Sequence, residues 1–107
     1  MTFIDDFDIV KLTGFEWDKG NRSKNRLKHN VEASECEEVF FNKPIIIFPD
    51  EKHSVLEKRY KVIGISTNGR KLSLAITIRN NRIRVIMARN QSRKEKALLN
   101  EERSKTN

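Results

Sequence analysis

The chain has a single cysteine, Cys36, among its 107 residues. That excludes an internal disulfide framework and any multi-cysteine zinc site. Its longest strongly apolar run, Ile45-Ile46-Ile47-Phe48, is far too short to span a bilayer. The opening residues Met1 to Asp6 lack the basic stretch that begins a secretory signal, so a cytoplasmic protein that does not enter a membrane is expected. With four glycines in all, the chain has no glycine-rich phosphate loop and no Gly-x-Ser-x-Gly nucleophile elbow. His29, His53 and Cys36 are not at metal-ligand spacing, and no carboxylate cluster complements them. No metal site and no cofactor are expected. Repeats and low-complexity tracts are also missing.

Charge is what the chain has in quantity. Charged residues make up 35% and hydrophobic residues 36%, enough for the core of one domain over residues 1–107 but not a generous one. The net charge is +7, and it is unevenly spread. Residues 1–18 carry −4, residues 19–29 +5, residues 30–57 −5 and residues 58–107 +11. A basic C-terminal half favours a polyanionic partner or an acidic protein.

The pattern along the chain predicts an α+β domain, with N-terminal helices and a C-terminal helix on one face of an antiparallel sheet of three to four or more strands. Residues 1–13 alternate weakly and read as an arm. Phe15-Glu16-Trp17 reads as a short strand, and Asp18 as the N-cap of a helix over residues 19–29 with Leu27 as its one apolar anchor. Asn30 stops that helix. A second helix is predicted over residues 32–42, with Ser34 and Glu37 as a capping box and Cys36, Val39, Phe40 and Phe41 on its apolar face. Cys36 therefore reads as a core residue rather than a nucleophile. Pro44 precedes an apolar strand over residues 45–48. The next strand spans residues 58–66, with Tyr60, Val62 and Ile65 as its main apolar positions.

The hairpin signals come next. Asn68-Gly69 links that strand to one over residues 71–79, where Leu72, Leu74, Ile76 and Ile78 alternate with Ser73, Ala75, Thr77 and Arg79. Asn80-Asn81 is a second two-residue turn, because Asn tolerates the left-handed backbone. Residues 82–89 follow, with Ile83, Val85 and Met87 assigned to one face and Arg82 and Arg84 to the other. Ser92 and Glu95 cap a last helix, which is expected to fray from Glu101, with residues 103–107 as a tail.

Chemistry is then left to cations and one polar loop, Asp50 to Ser54, followed by Glu57, Lys58 and Arg59. His53 and Glu57 can exchange protons, whereas Arg59 can only hold charge. RNA cleavage without a metal needs only such parts. The substrate's 2′-hydroxyl attacks, a base takes its proton, cations stabilise the phosphorane, and an acid protonates the leaving oxygen. The same residues also fit plainer readings. His53 can be an exposed loop residue, Glu57 and Arg59 a strand ion pair, and Arg79 and Arg89 solvated strand ends. On residue types alone the choice lies between a ribonuclease and a non-catalytic basic module that binds nucleic acid or an acidic protein.

A set of short motifs adds to this. Phe15-Glu16-Trp17-Asp18, Asn25-x-x-Lys28-His29-x-Val31, Val39-Phe40 and Asp50-x-x-His53-Ser54-x-x-Glu57-x-Arg59-Tyr60 occur in order. Gly64, Gly69-Arg70, Thr77-x-Arg79, Arg82-Ile83-Arg84-Val85-Ile86 and Ala88-Arg89 follow them. Over residues 14–102 or so, the chain resembles the BrnT family of toxins. The resemblance implies a RelE-like fold and a metal-independent ribonuclease toxin of a type II toxin–antitoxin pair that inhibits translation and growth. It implies neutralisation by a BrnA-type antitoxin, which would also supply contact with DNA. Within it, Arg59, Arg79 and Arg89 are the expected phosphate-binding and transition-state cations. His53 and Glu57 are the acid/base candidates, and Lys24, Lys28, Arg82 and Arg84 the expected RNA contacts. Glu32-Ala33, Met87 and Leu99 stand where the family usually has Ser-Phe, a serine and a tyrosine.

Overall fold

A computed structural model describes residues 12–105 of the chain. Most of the expected arm (residues 1–11) and the last two residues of the expected tail lie outside the described residues. The elements are β1 (Gly14–Phe15), α1 (Lys19–His29), α2 (Ala33–Val39), β2 (Ile46–Pro49), a 3-10 turn (Glu51–His53), β3 (Arg59–Ile65), β4 (Lys71–Arg79), β5 (Arg82–Asn90) and α3 (Arg93–Lys105). The five strands form one sheet in the order β1-β5-β4-β3-β2. The class is α+β, but the sheet is mixed rather than antiparallel. Strands β2 to β5 are an antiparallel meander, and β1 pairs in parallel with β5 through Gly14 opposite Arg82 and Phe15 opposite Ile83. The short strand expected over Phe15-Glu16-Trp17 thus falls at Gly14–Phe15, and its parallel pairing across most of the chain leaves no periodic signal.

Local signals place most element ends. The Asp18 carboxylate accepts from the Asn21 N–H at 2.9 Å, and the Asn21 side-chain oxygen accepts from the Asp18 N–H at 2.7 Å. Asn30 ends α1 with φ +54°. Asn80 and Asn81 both have positive φ, +52° and +61°, the pair that a type I′ hairpin turn requires. The second capping box differs from expectation. It joins Glu32 and Glu35, whose carboxylate accepts from the Glu32 N–H at 3.1 Å. Glu37 instead accepts from the Trp17 indole N–H at 2.7 Å. With α2 ending at Val39, Phe41 falls beyond the helix and is 80% exposed, not part of its apolar face. The third box, Ser92 with Glu95, forms as expected at 2.8 and 3.2 Å, and α3 stays helical past Glu101 to Lys105.

The side chain of Leu27 lies outside the described residues. The described anchor of α1 is polar. The buried Asn21 donates to the carbonyls of Val85 at 3.1 Å and Glu16 at 3.3 Å, which covers the edge of β5 where β1 has ended. At the other end of α1, Arg70 donates to the last carbonyls, His29 at 3.1 Å and Asn30 at 2.7 Å, and pairs with Glu35 of α2. A guanidinium at a helix C-terminus meets both the unpaired carbonyls and the negative end of the dipole.

The core lies between α2 and one face of the sheet. It contains Val31, Cys36, Val39, Ile47, Val62, Leu72, Leu74, Ile76, Val85 and Ala88, all at most 1% exposed. Phe15 and Phe40 meet edge to face at 5.5 Å. Cys36 is fully buried, and burial, reinforced by Glu35 and Glu37, pushes its thiol up to about 12, which makes it inert packing as expected. The helices do not share one face. Helix α3 sits on the opposite side, where Ile63 is fully buried and Leu99 2% exposed, both outside the main cluster. So Ile63, on the α3 side, joins Tyr60 and Val62 as a main apolar position of β3, and the half-buried Ile65 does not. Leu99 is a packing residue.

One extra residue in β5 changes which side chains that strand shows. Ala75 pairs with Met87 and Ile76 with Val85, so Ile86 has no partner on β4, a β-bulge. Ile83 and Val85 face the core as expected. Beyond the bulge Ala88 takes the core position and Met87 turns to the other face.

Packing is close where α2 crosses β3. A Cβ on Gly64 would stand 2.5 Å from Cγ1 of the fully buried Val39. Gly64→Ala is therefore expected to lower stability by about 1–3 kcal/mol, measured as a drop in denaturant midpoint with an unchanged slope.

Candidate functional site

The face opposite the core is basic, and the strand register orders it in rows. Arg59, Thr77 and Arg84 lie side by side across β3, β4 and β5. Lys61, Ala75 and Met87 form the next row, and Ile63, Ser73 and Arg89 the one after. Arg79 stands opposite Arg82 at the Asn80-Asn81 turn. The bulge is what brings Arg89 to this face, since strict alternation from Ile83 would have sent it into the core. The three expected catalytic arginines thus share a face but do not converge. Arg89 is four residues along the strands from the Arg59 row, roughly 13 Å at about 3.3 Å per residue.

Most of these cations are held by carboxylates from other elements. Arg79 is held by Glu57 through Nε and Nη2 at 3.2 Å. The Glu57–Arg59 strand pair of the plainer reading is not formed, because Glu57 pairs with Arg79. Arg84 pairs with Asp18 at 2.7 Å and Glu16 at 3.1 Å, an arrangement that ties the start of α1 to the sheet. The Asp18 carboxyl is lowered by the Asn21 backbone N–H first and by Arg84 second. Arg89 meets both oxygens of Glu95, at 2.8 and 3.0 Å.

Glu95 also pairs with Lys61 and accepts from the Ser73 hydroxyl at 3.0 Å. Burial alone would push this carboxyl up, but bonds from Arg89, Lys61, the Ser92 backbone and Ser73 outweigh it and hold it well below the usual carboxylate range. A residue legible only as a cap is also the counter-ion of the α3 end of the basic face. Nothing in its spacing signals this, because Lys61, Ser73 and Arg89 come from three strands.

On the sheet face, two expected cations remain without an ion pair among the described residues, the exposed Arg82 and the half-buried Arg59. Arg59 Nε is buried and has no hydrogen-bond acceptor. Arg59 lines a pocket of about 230 Å³ with Lys52, His53, Val55, Leu56 and Glu57, so three expected site residues meet there. The His53 Nδ1 lies 2.9 and 3.1 Å from the carboxylate oxygens of Asp50. That contact assigns the proton to Nδ1 and leaves Nε2 to take up or release another. Asp50 was not among the expected site residues, although a carboxylate three residues before a histidine in a polar loop is a readable signal. Lys24 is exposed on α1, which packs against β5, at the other lateral edge of the sheet from this loop. The side chain of Lys28 lies outside the described residues.

Among the described residues no group of three or more His, Cys, Asp or Glu side chains could hold a metal ion, and no helix is long and apolar enough to cross a membrane. Residues 17–95 match the family model of the ribonuclease toxin BrnT of type II toxin–antitoxin systems. The chain belongs to the BrnT family. The match spans the Arg59 pocket, the basic face and Glu95, and this family assignment makes the chain a ribonuclease toxin with an RNA substrate and an antitoxin protein partner. No curated protein matches the chain.

The Glu95 cluster carries a signed pH prediction. Its folded-state pKa is depressed from the ordinary 4.5, so its contribution is fully present above about pH 4.5 and is lost as pH falls toward the depressed value. Glu95→Ala should lose about 3 kcal/mol at pH 7. The stability gap to wild type should narrow steadily as pH is lowered from 4.5, and a gap independent of pH would count against the cluster.

Proposed function

We propose that this BrnT-family chain cleaves RNA without a metal ion, at the pocket shared by Arg59, His53 and Glu57. The observation that carries the reading is Arg59 itself. It is a half-buried guanidinium on a rigid strand, with no ion pair among the described residues and a buried Nε lacking an acceptor. A guanidinium without a counter-ion keeps its charge free for a ligand, and a phosphate is the anion that a guanidinium binds best.

In this reading Arg59 binds the scissile phosphate and stabilises the charge that builds on the phosphorane. His53, oriented by Asp50 through Nδ1, exchanges protons at Nε2, either with the attacking 2′-hydroxyl or with the leaving 5′-oxygen. Glu57 acts chiefly by holding Arg79, which places a second cation beside the pocket. Arg82, opposite Arg79, extends the basic track toward flanking phosphates, as Lys24 and Lys28 would on α1. Arg84 and Arg89 contribute to the field of the face, while their guanidinium groups hold α1 and α3.

We further infer that the domain is RelE-like, that RNA cleavage halts translation and growth, and that a BrnA-type antitoxin covers this face and links the complex to DNA. The net positive charge of residues 58–107 supports a polyanion rather than a neutral substrate.

Purified protein mixed with single-stranded RNA in excess chelator should leave products with 2′,3′-cyclic phosphate and 5′-hydroxyl ends. Arg59→Ala and His53→Ala should each reduce kcat/KM by about 100-fold. Intact RNA, or an Arg59→Ala variant as active as wild type, would refute the assignment, and a binding module would give the first of these results.

A further inference from the structure

Two aliphatic side chains at the tip of the loop between β2 and β3 stand in water next to this pocket. Val55 is 86% exposed and Leu56 98%. The loop that carries them is closed at its base. The Asp50 N–H donates to the Arg59 carbonyl at 2.9 Å. The Ser54 hydroxyl donates to the Asp50 carbonyl at 2.6 Å and accepts from the Arg59 N–H at 2.9 Å. Further along, the Thr77 hydroxyl donates to the Lys58 carbonyl at 2.8 Å, and Glu57 grips Arg79. These anchors hold the apolar tip in one place relative to β3.

Val55 and Leu56 border both cavities at this end of the molecule, the 230 Å³ pocket that reaches Arg59 and a larger one of about 730 Å³ over Pro49 and Lys58. Exposed aliphatic side chains with a polar rim mark a binding surface. The rim identifies the occupant. Lys52 and the Arg59 guanidinium, which has no ion pair among the described residues, call for an anion, and Val55 and Leu56 call for an apolar face within the same small space. One nucleotide of single-stranded RNA presents both, since the face of an unpaired base is apolar and its phosphate lies one sugar away.

We propose that Val55, Leu56 and Arg59 form a nucleotide subsite, in which the aliphatic tip carries the face of one unstacked base and the Arg59 guanidinium holds the adjoining phosphate. The proposal rests on the ribonuclease reading above and adds a substrate class to it. A base inside a duplex has both faces covered by its neighbours, so the subsite selects single-stranded segments. Aliphatic contact with a base face is blind to the base's edge, so the tip confers little sequence preference.

The test uses two probes on the full chain, a single-stranded RNA oligonucleotide with 2′-O-methyl riboses, which cannot be cut, and inorganic polyphosphate, which has no bases. The double variant Val55→Ser/Leu56→Ser changes only exposed side chains, and its fold is checked by its unfolding midpoint. It should bind the RNA about tenfold more weakly and polyphosphate as well as wild type does. Arg59→Ala should lose affinity for both. If the double variant binds RNA as tightly as wild type, the subsite is overturned and the tip becomes a protein-docking surface, with the ribonuclease reading intact as long as wild type still cuts RNA. Equal losses for RNA and polyphosphate would also overturn it. If wild type neither binds nor cuts RNA, the ribonuclease reading fails first and the subsite with it.

Discussion

The unpaired residue in β5 sets what each face of the sheet can do. With Ile86 bulged, Ala88 rather than Met87 faces the core, and Arg89 turns outward to meet Glu95 of α3. Without it Arg89 would point into an apolar layer, at a cost no small domain could absorb, and α3 would lose its main polar attachment. The bulge therefore fixes three things together, the phase of the core, the seat of the last helix and the side on which the basic residues gather.

That gathering raises a physical problem, which the pairing pattern resolves. Five arginines and two lysines on one face repel one another, and a small domain has little stability to spare. Carboxylates from separate elements are set among them. Glu57 takes Arg79, Asp18 and Glu16 take Arg84, and Glu95 takes both Arg89 and Lys61. The pairs at Arg84 and Arg89 double as fastenings for α1 and α3. Arg59 is left beside the loop that carries His53, close to the pocket and away from the fastenings. The division of labour is spatial, with structural cations toward α1 and α3 and the unpaired, half-buried one where a loop closes over the sheet.

Much of the fold was legible in the sequence because its signals are local. Strand β4 is bounded as the alternation predicted, Asn80-Asn81 turns as two left-handed residues must, and Asp18, Asn30 and the Ser92–Glu95 box cap their helices. What escaped reading depends on contacts far apart in the chain. The apolar run Ile83, Val85, Ile86 and Met87 fits either phase of a strand, so only pairing with β4 reveals the bulge. Strand β3 is apolar on both sides, and only the position of α3 shows that Ile63 belongs to the second face. Asn21 anchors α1 through hydrogen bonds, which hydrophobic periodicity cannot register. Of the candidate site, residue chemistry pointed to Arg59, His53 and Glu57, which do share a pocket. It could not foresee that Glu95 would take Arg89 or that Asp50 would orient His53.

The account depends on Arg59 being the cation reserved for phosphate. The most direct measurement is a nitrogen-edited NMR titration of the arginine Nε–H signals with an RNA blocked at its 2′ oxygens. The Arg59 signal, which lacks an acceptor in the free protein, should move the most and downfield as a phosphate oxygen binds it. The signals of Arg84 and Arg89 should stay in place. Movement at Arg84 or Arg89 with Arg59 unchanged would contradict the account.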